Sequence, residues 1–344
     1  MIRFNIYPFL SILLMFLMSC CNNQSVVNQL EQYFAYGDSI ESAGVKMIPI
    51  HTPYGDFRVW TKRFGTNPDV KVLLLHGGPA MTHEYMECFE TFFQRQGFEL
   101  YEYDQLGSFY SDQPENDSLW TIERFVDEVD QVRQAIGADS NNFYLIGNSW
   151  GGLLAMEYAL KHQDHLKGMV VSNMMASIPE YIQYFNNTLA PMMDPGALAE
   201  IKALEASKDY TNPRYEELLQ EHYYNLHLCR LPEWPEPVTR SFSHGNNHIY
   251  VLMQGPSEMG IPPEARLYGW DIKSRLHEIT VPTLMVGARY DTMDPRAMEE
   301  QSKLVRKGRY LYCPNGSHLA MWDDQKVFMD GVIRFIKDVD EGKM

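Results

Sequence analysis

Phe143-Tyr144-Leu145-Ile146-Gly147-Asn148-Ser149-Trp150-Gly151-Gly152 decides the fold: an apolar strand-forming run passes through a glycine-flanked serine into Leu153 to Leu160, which has helical spacing and composition. Strand, turn and helix in that order put Ser149 at a nucleophile elbow, where glycines two residues to either side remove the Cβ clashes that forbid so tight a turn. The hydroxyl is pushed out of the sheet toward solvent and substrate. A random chain of this length would contain Gly-x-Ser-x-Gly with a probability of roughly 0.1, so the flanking elements carry more of the inference than the pattern does. The competing reading is an ordinary strand-to-helix turn that holds a serine.

Working outward, Lys46 to Ile50 and Phe57 to Thr61 flank the turn Pro53-Tyr54-Gly55-Asp56 as an antiparallel hairpin. Val70 to Leu75, Phe98 to Tyr103, Phe143 to Ile146, Gly168 to Ser172, Thr283 to Val286 and Tyr310 to Tyr312 have the length and side chains of buried strands. Helical patterns separate most of them, as in Ile122 to Ile136, with apolar Ile122, Phe125, Val126, Val129, Val132 and Ile136. The alternation predicts an α/β fold with a mostly parallel sheet flanked by helices. It breaks between residues 174 and 268, a segment rich in Met, Tyr, Pro and Glu with helical stretches such as Tyr215 to Leu228. The predicted organisation is a core over 41–173 and 269–344, with an inserted helical cap over 174–268.

The chain has 344 residues and is 45% hydrophobic, enough for one large domain with an insertion. Residues 1–19 read as an export signal: Arg3 precedes the apolar stretch Ile6 to Met18. Leu17-Met18-Ser19-Cys20 resembles a bacterial lipobox, which makes Cys20 the expected lipidation site and 20–40 a polar tether. A transmembrane anchor is the alternative, but that stretch falls short of the about 20 residues a bilayer requires; plain secretion is another. The expected location is the periplasm or the cell surface, tethered to the membrane. Cys88, Cys229 and Cys313 have no recurring short spacing, so neither a disulfide framework nor a zinc site is indicated. A formal net charge of −16 argues against nucleic acid or an anionic surface as partner.

A serine hydroxyl needs a base to take its proton, and the base needs a carboxylate to hold its tautomer. On an elbow of this kind the order is serine, acid, histidine, with the last two after late strands. Asp291 follows the strand and turn Thr283 to Tyr290, and His318 lies in Pro314-Asn315-Gly316-Ser317-His318 after the final strand. Asp294 competes as the acid, although it precedes Pro295 and is placed to cap a helix. Upstream, His76-Gly77-Gly78-Pro79 follows Val72 to Leu75, and its glycines allow the main chain to approach an oxyanion. The expected oxyanion donors are the amides of Gly78, with Gly77 as the alternative, and Trp150. His76 is expected to hold that loop rather than to transfer protons.

Together these segments resemble the prolyl aminopeptidase (proline iminopeptidase) family of α/β-hydrolase serine peptidases, including the tricorn-interacting aminopeptidases. The resemblance extends to Asp104-Gln105-Leu106-Gly107-Ser108, Gln254-Gly255-Pro256-Ser257-Glu258 and Trp270-Asp271, and so covers most of the chain from about residue 45. It implies an α/β-hydrolase fold and release of an N-terminal residue, proline or another small or apolar one, from short peptides with a free N-terminus. It also implies cap glutamates that bind the α-amino group: Glu258 matches the family's Gly-Pro-x-Glu, and Glu221 and Glu233 are candidates for a second. No metal or other cofactor is required, because side chains and backbone supply each step of acyl transfer. Two positions depart from the family, Ala80 where glycine is usual and Phe109 where a small residue is usual, which bears on strict proline specificity. An esterase, amidase or lactonase acting on a small non-peptide substrate is the enzymatic alternative, and a non-catalytic peptide-binding lipoprotein a third reading.

Overall fold

The computed structural model describes residues 44–344. The signal segment, Cys20 and the tether up to residue 40 lie outside the described residues. Eight strands form one sheet in the order β1-β2-β4-β3-β5-β6-β7-β8. They are β1 (Val45–Thr52), β2 (Gly55–Phe64), β3 (Lys71–Leu75), β4 (Glu99–Tyr103), β5 (Phe143–Asn148), β6 (Gly168–Ser172), β7 (Thr283–Ala288) and β8 (Gly308–Cys313). β2 runs antiparallel to β4, and from β4 onward every neighbouring pair is parallel. Leu75 pairs with Gly147 and Asn148 with Ser172, so the segments after β3, β5 and β6 leave the same edge of the sheet. Ligand sites of open parallel sheets form at that carboxyl edge.

Strand alternation divides the core in two. Leu73, Leu75, Leu145, Met169, Val171 and Met285 face α2 (Ile122–Ala135) and α3 (Trp150–His162), whose Phe125, Val129, Leu153 and Leu154 complete one cluster. Val72, Leu74, Ile146, Val170, Leu284 and Val286 face the other way, toward Phe89 and Phe93 of α1 (Cys88–Arg95) and Phe328, Val332 and Phe335 of α10 (Gln325–Asp340). Both sheet faces are therefore apolar, which is why the central strands carry continuous apolar runs. Cys88, Cys229 and Cys313 are buried free thiols.

Between β6 and β7 the described residues contain no strand. They form α4 (Ile178–Tyr184), α5 (Pro195–Ala206), α6 (Pro213–Leu219), α7 (Glu236–His244) and α8 (Asn247–Met253), followed before β7 by the two-turn 3-10 segment Lys273–Glu278. Ser177, Asp194, Asn212 and Asn246 cap their helices by accepting from a main-chain N–H two or three residues on. The ends of the insertion are tied together, because Ile178 N donates to Trp270 O and Ile272 N to Ala176 O, each at 2.9 Å. The helix predicted over Tyr215 to Leu228 is interrupted: after Leu219 the turn widens over Gln220–Tyr224 before resuming at Asn225. The wide turn carries Tyr223 inward, fully buried, where its hydroxyl donates to Glu258 O at 3.0 Å. Among the described residues no helix is long and apolar enough to cross a membrane.

Candidate active site

Ser149 sits where β5 gives way to α3, at φ 56° and ψ −126°. Such a conformation is costly for a residue with a Cβ and persists only where its surroundings over-determine it. Here the determinants are steric. A Cβ on Gly147 would lie 2.0 Å from Gly151 O, and one on Gly151 would lie 2.0 Å from Leu75 O. Both flanking glycines are therefore required by backbone packing between β3, β5 and the first turn of α3.

His318 and Asp291 come from loops after β8 and β7 and are both buried. His318 Nδ1 donates to Asp291 Oδ1 at 2.7 Å. Asp291 is held in turn: Asn173 Nδ2 donates to its Oδ2 at 2.7 Å and Thr292 Oγ1 to its Oδ1 at 3.3 Å. Burial alone would depress the imidazole, but the charge and hydrogen bond of Asp291, with Glu258 beyond, outweigh it and hold His318 above its ordinary 6.5. The elbow and the histidine loop are joined by Asn148, whose Nδ2 donates to His318 O at 3.3 Å and Ser172 O at 3.4 Å. Ser149 Oγ itself makes no hydrogen bond to protein among the described residues. Nucleophile–base bonds commonly tighten only when substrate binds. Asp294 is occupied elsewhere, accepting from Arg296 N at 2.9 Å as the cap of α9 (Pro295–Leu304).

The glycine loop after β3 separates the two expected amides. Gly77 N donates to the Tyr85 hydroxyl at 2.7 Å, and that hydroxyl donates to Asn148 Oδ1 at 3.0 Å. The Gly77 amide is thereby committed, and Gly78 is the better placed of the pair to meet an oxyanion. Trp150 N opens α3 and has no intrahelical acceptor, as for any first helical amide. His76 accepts from Gln105 N through Nε2 at 3.0 Å, so its Nδ1 carries the proton donated to Gly77 O at 2.9 Å. Burial lowers its pKa to about 4, which keeps it a neutral brace. Gln105 extends the brace, donating to His76 O and accepting from Trp150 Nε1.

Glu258 is buried in the cap amid tyrosine hydroxyls. Tyr250 donates to its Oε1 at 2.6 Å, and Tyr181 donates to its main-chain oxygen at 2.6 Å. Burial pushes its carboxyl above the ordinary 4.5, and the field of His318 acts in the opposite direction, so the acid lies within electrostatic reach of the histidine. It has no cationic side-chain partner among the described residues. Glu221 and Glu233, unlike Glu258, are exposed. The Glu221 side chain is 66% exposed with its carboxylate 3.9 Å from His222 Nε2, and Glu233 is on the surface, where water already solvates a carboxylate.

Several positions escaped the reading of the sequence. Asn173, at φ 55°, follows β6 at the carboxyl edge and bridges Asp291 to Ser317 O; an asparagine directly after a core strand was the available signal. His227 and Leu228, at the end of the interrupted cap helix, accept from His318 N and Leu319 N at 2.9 Å. The cap therefore pins the histidine loop through main-chain bonds that no side-chain pattern reveals. Both departures noted at Ala80 and Phe109 lie at positive φ, 60° and 24°. Phe109 stacks on His244 of α7 at 4.0 Å, so its ring serves as a contact between core and cap.

Fold and site together define an α/β-hydrolase, and residues 71–325 match the family model for the alpha/beta hydrolase fold. The chain is 73% identical to a proline iminopeptidase of Elizabethkingia meningoseptica over 86% of its own length and 98% of the relative's. It is 72% identical to a proline iminopeptidase of Flavobacterium johnsoniae, over 87% of its length and 100% of the relative's. The chain belongs to the proline iminopeptidase family of α/β-hydrolases. Among solved structures, the proline iminopeptidase of Mycobacterium smegmatis aligns with a TM-score of 0.75 at 25% identity, covering 86% of this chain and 100% of that one. The crystal structure of VinJ aligns with a TM-score of 0.77 at 27% identity, over 85% and 98% of the two chains.

Proposed function

We propose that the protein is a serine aminopeptidase that releases an N-terminal residue, proline or another small or apolar one, from short peptides. Ser149 is the nucleophile, His318 the base and then the acid, and Asp291 the group that orients His318 and stabilises its cation. The serine oxygen attacks the first peptide carbonyl while its proton passes to His318 Nε2. The resulting oxyanion accepts from the amides of Gly78 and Trp150. His318 then protonates the leaving amine, and water, deprotonated by the same imidazole, releases the amino acid from the acyl-enzyme.

One observation carries the choice of aminopeptidase over esterase: Glu258 is a buried acid with no cationic side-chain partner among the described residues, in the electrostatic field of His318. A buried carboxylate without a counter-ion is costly, and the protonated amine of a substrate supplies that counter-ion. The test is a panel of proline and alanine arylamides, each with a free and an acetylated amine. Turnover of the free-amine forms only is expected; equal turnover of the acetylated forms would sink the assignment. Glu258→Gln is expected to raise KM for free-amine substrates by about tenfold or more, in line with a charge-assisted hydrogen bond of about 1.5–3 kcal/mol.

The sequence of residues 1–20 supports export and lipidation at Cys20, which would tether the enzyme in the periplasm or at the cell surface. Cys20→Ser should move the protein from the membrane fraction to the soluble one; unchanged fractionation would remove the anchor.

A further inference from the structure

A second cluster of chemistry-bearing side chains lies at the end of α3 remote from Ser149. His162 closes α3 and His165 closes the tight turn Gln163–His165. Residues three apart in such a turn lie one above the other, and the two rings stack with centroids 5.8 Å and planes 10° apart. Asp130 reaches them from α2. Nε2 of His162 and Nδ1 of His165 are both shut off from solvent, and neither has a hydrogen-bond partner among the described residues. His165 Nδ1 is 3.3 Å from Asp130 Oδ1, within ion-pair range but without the alignment of a hydrogen bond. One ligating atom from each of the three residues lies within 4.8 Å of the others.

Buried polar atoms in native proteins are rarely left unpaired. Two orphaned imidazole nitrogens beside one carboxylate call for a common partner. We propose that Asp130, His162 and His165 form a site for a single divalent metal ion of the imidazole-preferring class, Ni2+, Cu2+ or Zn2+, with water completing its coordination.

The charges around the site select the class of ion. Asp130 accepts hydrogen bonds from Arg133 Nε, Gln134 Nε2 and the Tyr158 hydroxyl. Of the roughly four lone-pair positions on a carboxylate, those donors occupy three. With one carboxylate, already shared with Arg133 Nε at 2.8 Å, the cluster lacks the several anionic oxygens that Mg2+ and Ca2+ require. Nitrogen coordination is what it offers. Metal–nitrogen bonds of about 2.0–2.1 Å set tetrahedral donors roughly 3.4 Å apart, so binding draws inward the three groups, which lie within 4.8 Å of one another, and turns the two near-parallel rings until their in-plane lone pairs converge on the ion. The ion would clip the end of α3 to α2, separated from Ser149 by the length of a 13-residue helix, about 20 Å.

The test is calorimetric titration of the EDTA-treated full chain with Ni2+, with Mg2+ as the hard-ion control, alongside thermal unfolding. One equivalent of Ni2+ should bind, Tm should rise, and Mg2+ should do neither. His162→Gln and His165→Gln should each weaken Ni2+ binding by ~10-fold or more, and the double variant should lose that equivalent and the rise in Tm. With Cu2+ the resonance spectrum should carry the splitting of two coordinated nitrogens. Ni2+ binding unchanged in the double variant, or absent from the unmodified protein, would overturn the site. Arylamide hydrolysis by the double variant should match the parent, which excludes unfolding as the cause of lost binding. The binding heat is read without substrate, so failure of the metal site and failure of the peptidase assignment are separate results.

Discussion

At the scale of single residues, the elbow is a problem of space before it is one of reactivity. Adding one methyl group at Gly151 would place carbon 2.0 Å from Leu75 O, a main-chain atom that cannot move without displacing β3. Gly151→Ala is therefore expected to lose more than about 3 kcal/mol in urea unfolding, beyond the usual cost of overpacking. Ser149→Ala keeps the Cβ that the turn already accommodates. Its stability should remain within about 0.5 kcal/mol of the parent, while kcat falls by about 10⁴ to 10⁶-fold. A Ser149→Ala enzyme with appreciable turnover would remove the nucleophile from the mechanism. Tyr250 makes a subtler contribution, donating at 2.6 Å to Glu258, the acid proposed to receive the substrate amine. In Tyr250→Phe that carboxylate loses a donor that steadies its charged form. KM for a free-amine arylamide should rise about tenfold, the worth of a hydrogen bond to a charged group, with kcat changed far less. A fall confined to kcat would place Tyr250 in a different role.

At the scale of elements, the cap is held to the core by a strap that no periodicity announces. Arg240 on α7 binds Glu84 through Nη1 at 2.5 Å and Glu87 through Nη2 at 2.8 Å, both on the turn that follows the glycine loop. His244 Nδ1 also pairs with Glu84 at 2.8 Å, and Asn246 N donates to Ala80 O. The Glu84 side chain is only 2% exposed, so removing its guanidinium leaves a buried charge with a weaker partner. Arg240→Ala should cost about 2 kcal/mol in urea unfolding, below the 3–5 kcal/mol of a fully buried pair because Arg240 is itself a third exposed and His244 remains. Arg240→Lys should recover part of that loss; an unchanged midpoint in Arg240→Ala would mean that the strap is ornamental. The core strands and α2 were legible in the sequence because two apolar faces impose long apolar runs and a helix over a sheet imposes a stripe. The cap was legible only as an interruption. Its helices are short, capped by local polar residues, and widened at Gln220–Tyr224 to turn Tyr223 toward Glu258, a displacement set by a partner thirty-five residues away. Asp291 and His318 could be found because strand ends are countable, whereas Asn173 and His227 act on them through contacts that only the folded chain creates.

At the scale of the whole molecule, the site ties stability and activity to the same proton. His318 sits above its ordinary 6.5 because, against the cost of burial, the field of Asp291 and the more distant one of Glu258 favour its cation. The catalytic form is the neutral base, so kcat/KM should rise with pH along a limb whose midpoint lies above 6.5. Folding stability runs the other way. A group whose pKa is raised by folding contributes its full stabilisation below the unfolded value, and that contribution is lost as pH rises through the folded value. Through the window just above 6.5, stability from the Asp291–His318 pair should therefore decline while activity appears. Subtracting the pH dependence of Tm measured on His318→Gln isolates this contribution from Glu258 and Glu90, whose pKa values burial also raises. Glu258→Gln removes one of the negative fields that raise His318, beside those of Asp291 and Asp323, so its activity limb should move down toward 6.5, a shift read from the kcat/KM profile alone. If the limb stays in place, Glu258 does not act on the imidazole, and the cap acid and the catalytic base would have to be treated as electrostatically separate sites.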